Sequence, residues 1–430
     1  MSERNIVLAQ PRGFCAGVRR AIGIVERALD VHGAPVYVRK EIVHNHYIVS
    51  ELQKRGAVFV DNEEEVPQGA VCVFSAHGVS PGVRSAAAGR QLEVIDATCP
   101  LVSKVHQEAV RFARDGRTIL LVGHEGHEEV EGVLGEAPDR IVVIETEDDV
   151  RRLGLPDDTP VAVLTQTTLS FDETERVVEA LRARFTDLIT PGDDICYASQ
   201  NRQNAVKDLA RDNDLVLIVG SHNSSNSLRM VEVARDHGAA AHLVPDEQHL
   251  DVAWLKDVSS VGISAGASAP EILVDGLVAR LAELGFDQVE LQQGIAEDVV
   301  FSMPGRLADP VTGRVPQTPL AGEVSSTSGG VSPGTGGVSP SLGGVSPGSG
   351  GVLPGSGGVS PTGGGVSRTS GEVSPPPGGV SPSPGRVSPG PGGVLPGSGG
   401  VSPTGGGVSP PPGGVSPSSG GGSPTPGGVR

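Results

Sequence analysis

Apolar and polar positions along the chain fall into an order that recurs. Ile6, Val7 and Leu8 form a short continuous apolar run, Pro11 and Gly13 interrupt it, and Val18, Ile22, Val25 and Leu29 follow at the spacing of one helix face. This predicts a strand over residues 6–8, a turn and a helix. The succession returns in "LEVIDATCPLVSKVHQEAVRFA", with a strand over 92–95, Pro100 at a favourable first helical position, and Val102, Val105, Ala109 and Phe112 on one face. It returns again in "DLITPGDDICYASQNRQNAVKDLA", where Ala205, Val206 and Leu209 mark the helix. In all three a cysteine stands in the turn: Cys15, Cys99 and Cys196.

After its cysteine, each third supplies two more apolar runs that end in polar turns. These are "EIVHNHYIVS" and "VCVFSAHGVSPG", then "ILLVGHEGHEEVEG" and "VAVLTQTTLS", then "LVLIVGSHNSSNS" and "VGISAGASAP". Continuous runs such as 216–219 predict buried parallel strands, and ligands bind beyond the carboxyl ends of such strands. The expectation is an α/β fold of three subdomains, over residues 1–97, 98–193 and 194–303; if these pack around a pseudo-threefold axis, their cysteines meet at its centre. From about Arg306 the chain passes into variants of "GGVSPSLGGVSPGSGG", and residues 304–430 are set apart from the three subdomains. Such a composition buries too little apolar surface to offset its ordering entropy, so a disordered repeat tail is expected there. A flexible spacer and a functionless repeat expansion both fit it.

Charge and composition narrow the function. A net charge of −18 argues against nucleic acid and against an anionic membrane surface. No apolar run approaches membrane-spanning length, and the start "MSERNIVLAQ" lacks a basic region followed by an apolar one, so a cytoplasmic protein is expected. Four widely separated cysteines do not make a disulfide framework, and Cys72, inside "AVCVFS", reads as core.

Structural zinc favours paired C-x-x-C units, which are absent. Three thiolates from three subdomains suit a 4Fe-4S cluster one cysteine short, leaving one iron open to substrate. His44, His77 and His127 offer hydrogen bonds and, if protonated, positive charge. With Ser224, Ser225, Asn226, Ser268 and the backbone room at Gly266, they suit a phosphate or diphosphate. Among Glu125, Glu128, Glu129 and Glu131, one acid beside the cluster would deliver protons, and the residues alone do not choose it. Thr167 and Thr168 suit a substrate hydroxyl. No G-x-G-x-x-G follows the first strand, so electrons come from outside. Two other readings remain open: a hydrolase using Cys15 with His44 or His77, and a scaffold whose tail is the working part.

The ordered motifs "PRGFCAGV", "VHN", "SAHGVSP", "DATCPLV", "GHEGHEEVEG", "TQTTLS", "DDICYA", "NSSNS" and "SAGASAP" resemble those of the 4-hydroxy-3-methylbut-2-enyl diphosphate reductase family. The resemblance covers nearly all of residues 4–303 and leaves the tail outside. It implies a pseudo-threefold cloverleaf of three α/β subdomains around one 4Fe-4S cluster per chain, held by Cys15, Cys99 and Cys196. It implies reductive removal of an allylic hydroxyl, yielding isopentenyl and dimethylallyl diphosphates, the last step of the methylerythritol phosphate route. Carried over, His44, His77, His127, Ser224, Ser225, Asn226 and Ser268 bind the diphosphate, Thr167 lies near the hydroxyl, and Glu129 is the proton-relay acid. His124 is not carried over and reads as loop structure or as support behind the site residues. A ferredoxin or flavodoxin donor and a monomer or homodimer are expected.

Overall fold

The computed structural model describes residues 4–190, 194–305 and 307, so the expected tail over 304–430 lies outside the described residues apart from 304, 305 and 307. The apolar runs form short parallel strands in three sheets. One sheet holds β2 (Val36–Arg39), β3 (Ala57–Val60), β4 (Val71–Phe74) and β5 (Glu93–Asp96) in the order β3-β2-β4-β5. A second holds β6 (Thr118–Val122), β7 (Ile141–Ile144), β8 (Val161–Thr165) and β9 (Leu188–Ile189) in the order β7-β6-β8-β9. The third combines β1 (Asn5–Leu8) with β10 (Leu215–Val219), β11 (Ala240–Val244), β12 (Ser260–Ala265) and β13 (Gln288–Leu291) in the order β11-β10-β12-β1-β13.

Each sheet therefore repeats one four-strand order, and in each the fourth strand leads to a cysteine. β1 leads from the third sheet into α1 (Ala16–His32), which packs on β2. β5 leads from the first sheet into α4 (Pro100–Arg114), which packs on β6 and β8. β9 leads from the second sheet into α8 (Tyr197–Asp212), which packs on β10 and β12. The chain thus hands one helix from each sheet to the next, and each cysteine stands at a crossing. One difference from the sequence pattern follows: β1, expected at the head of segment 1–97, pairs with β12 from Asn5↔Ser260 to Leu8↔Ile263, closing the ring.

The helix faces are those that the periodicity predicts. Val18, Ile22, Val25 and Leu29 of α1 are buried, as are Val102, Val105, Ala109 and Phe112 of α4. Each fully buried Val, Leu or Phe contributes about 1.5–3 kcal/mol. Cys72 is 0% exposed in an apolar cluster with Phe74 and Leu92, as its setting predicts. After β13 the chain runs back across the cysteine helices. Glu297 pairs with the fully buried Arg202 of α8 at 3.1 Å, Arg20 of α1 donates to the Ser302 carbonyl at 2.8 Å, and Leu307 enters the core beneath α1.

Candidate active site

Cys15, Cys99 and Cys196 are the N-caps of α1, α4 and α8. Their backbone N–H groups donate to equivalent carbonyls in the loops after β12, β4 and β8: Ala267 at 3.3 Å, Ala76 at 3.0 Å and Thr167 at 2.9 Å. A glycine lets two of these turns approach closely. A Cβ on Gly17 would lie 2.8 Å from Cys99 Sγ and 3.8 Å from Cys15 Sγ. All four cysteines are free thiols. Burial pushes the Cys99 thiol up to about 11 and the Cys196 thiol to about 12, so without a metal both stay protonated at neutral pH and neither is an activated nucleophile.

Among the described residues, the group of three ligands close enough to share one ion is His44, His77 and Glu128, whose ligand atoms lie within 4.8 Å of one another. Cys15 acts electrostatically on Cys99, and both act on Cys196, so the three thiols converge. Three converging thiols from three crossings fit the three cysteine ligands of a 4Fe-4S cluster.

The polar loops meet beside the cysteines. The His44 and His77 rings stack at 4.1 Å, and His127 stands edge-on to both at 5.9 and 6.1 Å. His44 Nδ1 lies 3.2 Å from Glu41, and Asn223 donates to the same carboxylate at 2.8 Å. His77 Nδ1 lies 3.0 Å from Glu128. His127 caps α5 (Glu128–Leu134): its Nδ1 accepts the Glu129 N–H at 3.2 Å, which leaves the proton on Nε2. Burial, then the neighbouring histidines, lowers His127 to about 3, and burial also lowers His77. These two rings are therefore neutral hydrogen-bond donors at pH 7, and the positive charge foreseen for them is suppressed by their own packing.

Backbone and hydroxyl groups supply the rest. Ser224 caps α9 (Ser225–Asp236), its Oγ accepting from Ser227 N at 3.3 Å. Ser225 and Asn226 lie in the first turn, where helix N–H groups favour an anion. Asn226 Oδ1 accepts from Ala267 N at 2.9 Å, and Ser268 Oγ donates to the His44 carbonyl at 3.0 Å, joining two sheets. Ser225 Oγ and Thr168 Oγ1 are 3.0 Å apart, joining the second sheet to the third.

Of the four acids in "GHEGHEEVEG", the fold selects one. Glu129 is 3% exposed and accepts from Thr167 twice, from N at 2.7 Å and from Oγ1 at 2.9 Å. Burial raises its carboxyl to about 7, against the lowering effect of those two bonds. Thr167 meanwhile accepts the Cys196 N–H. One threonine thus ties the acid to a cysteine turn.

Two polar residues in the quoted motifs escape the sequence reading. Gln166 donates to Thr168 at 2.8 Å and to Ser225 at 3.3 Å, and Asn223 holds Glu41 against His44. Both sit in "TQTTLS" and "SHNSSNS", and their position just beyond a strand end was the available signal. His124 lies 3.3 Å from Arg229 Nη2 and its carbonyl accepts the His127 N–H at 3.2 Å, so it supports the loop without joining the ring stack.

Comparisons with known proteins identify the family. A family model described as LytB protein matches residues 6–282. The chain is 58% identical over 308 residues to a 4-hydroxy-3-methylbut-2-enyl diphosphate reductase of Nocardia farcinica, covering 71% of this chain and 92% of that protein. It is 57% identical over 305 residues to the reductase so named in Mycolicibacterium paratuberculosis, covering 70% and 92%. Among solved structures, E-1-hydroxy-2-methyl-but-2-enyl-4-diphosphate reductase from Plasmodium falciparum matches with a TM-score of 0.69 at 36% identity, covering 71% of this chain and 97% of that one.

Proposed function

The chain belongs to the LytB family of 4-hydroxy-3-methylbut-2-enyl diphosphate reductases, and from that membership we propose how its own residues divide the work. The reaction removes the allylic hydroxyl of the substrate, consuming two electrons and two protons and releasing water with isopentenyl or dimethylallyl diphosphate. It is the terminal step of the non-mevalonate route.

Cys15, Cys99 and Cys196 hold a 4Fe-4S cluster, one per chain. When bound, that cluster supplies the electrons and a Lewis-acid iron. His44, His77 and His127 hold the diphosphate as hydrogen-bond donors, together with Ser224, Ser225, Asn226 and Ser268. Because burial suppresses imidazolium charge, the first turn of α9 supplies much of the attraction for the anion. Thr167 orients Glu129 through two hydrogen bonds. Burial leaves Glu129 partly protonated at neutral pH, and the acid gives that proton up as the hydroxyl leaves.

The observation that carries this reading is the double role of Thr167, which binds the buried acid with its N–H and hydroxyl and the Cys196 turn with its carbonyl. It supports proton delivery at the cysteines. The two electrons come from a ferredoxin or flavodoxin. Among the described residues no helix is long and apolar enough to cross a membrane, and we place the protein in the cytoplasm, where free thiols persist. One chain holds every site residue, so a monomer or a homodimer serves equally. The test is anaerobic turnover with Cys99→Ser and Cys196→Ser. Both lose iron and activity together, whereas a Cys15 hydrolase would keep working.

A further inference from the structure

The seventh residue after each cysteine occupies the same buried position under the crossing, and two of the three are polar. They are Ile22 at 1% exposure, His106 at 6% and Gln203 at 1%. Ile22 is ordinary core. His106 and Gln203 are not needed to fill apolar space, and each keeps one buried polar atom without a hydrogen-bond partner, Nε2 and Oε1 respectively. Burying such atoms carries a cost that a leucine or methionine would avoid.

Both touch the loops that carry site residues, at the same offset. The Cys99 N–H binds Ala76, and two residues further along, a Cβ on Gly78 would lie 2.8 Å from His106 Nε2. The Cys196 N–H binds Thr167, and two residues further along, the Leu169 carbonyl accepts from Gln203 Nε2 at 3.0 Å. Gly78, at φ +81°, adjoins His77 and has no room for a side chain. On its other side the His106 ring meets α5, where a Cβ on Gly132 would lie 3.2 Å from Cε1. The ring is held in that wedge by Glu136, 2.7 Å from Nδ1.

We propose that His106 and Gln203 are positioning residues for the reaction. His106 sets the His77 loop against α5, which carries Glu128 and Glu129, and Gln203 sets the loop that carries Thr167 and Thr168. α4 and α8 so each grip a substrate loop twice, at the cap and two turns below. This rests on the site roles given under Proposed function.

The two residues then act on different kinetic constants. In anaerobically purified holoenzyme, with rates expressed per iron bound, His106→Phe raises the KM for the allylic diphosphate about tenfold with kcat within about threefold, the scale of lost support behind a ligand-binding residue. His106→Asn, which keeps a donor for Glu136, recovers most of that loss. Gln203→Met keeps side-chain length, removes the bond to Leu169, and lowers kcat about tenfold with KM nearly unchanged. It decides the proposal by itself if His106→Phe does not fold. Unchanged constants at full iron content overturn the proposal, as do losses that vanish once rates are expressed per iron. His77→Ala is the control: an unchanged KM there sinks the diphosphate site itself, while an effect there with none at His106 or Gln203 sinks only the positioning roles.

Discussion

Glu129 combines near-complete burial with two hydrogen bonds from Thr167 and a carboxyl raised to about 7. A carboxyl raised on folding is destabilising when ionised, so its cost is absent below about pH 4.5 and complete above about 7. That cost is on the order of 3 kcal/mol. Glu129→Gln removes it: the thermal midpoint of the variant exceeds the parent's at pH 8.5, and the difference shrinks towards pH 5. In turnover the pH dependence runs in the same direction. Activity of the parent declines as pH rises through about 7 because the proton is lost. Glu129→Gln retains iron and binds substrate, yet loses turnover by at least about a hundredfold. Full activity in that variant removes Glu129 from the mechanism. Choosing Glu129 from its three acidic neighbours was beyond local sequence, because its partner Thr167 lies 38 residues away and on another strand end. The cysteines were legible because each stands in a turn with its own strand and helix.

The crossing elements make two predictions. Gly17→Ala places a Cβ 2.8 Å from Cys99 Sγ, and the first turns of α1 and α4 must part to accept it. Iron content per chain falls well below that of the parent while the far-ultraviolet spectrum holds. Arg202 is fully buried, donates to the Gly13 carbonyl at 2.9 Å, and pairs with Glu297. Arg202→Met leaves that carboxylate without its cation and costs about 3–5 kcal/mol, read by denaturant unfolding. A loss under about 1 kcal/mol contradicts the tie between the returning segment and the Cys15 turn. The helices themselves were readable from their apolar spacing. That β1 joins β12 was not, since a four-residue apolar run says nothing about which strand it will pair with.

At the scale of the whole molecule, the described fold closes on itself as a ring of three sheets, and the relatives align over 92% of their own length without needing the repeats. Removing residues 311–430 accordingly leaves kcat, KM and iron content unchanged, and a drop in any of them would assign the tail a part in catalysis. The tail's composition was readable at once, but low-complexity repeats hold no chemistry from which a role follows. The threefold plan was visible as repeated strand, turn, cysteine and helix. Its cyclic hand-over was not, because it depends on long-range pairing. The central claim is that three cysteines from three crossings share one cluster, and iron and acid-labile sulfide analysis of the anaerobically purified protein tests it most directly. About four irons and four sulfides per chain are expected, falling together in Cys99→Ser; a colourless protein with less than about one iron per chain and full turnover would contradict it.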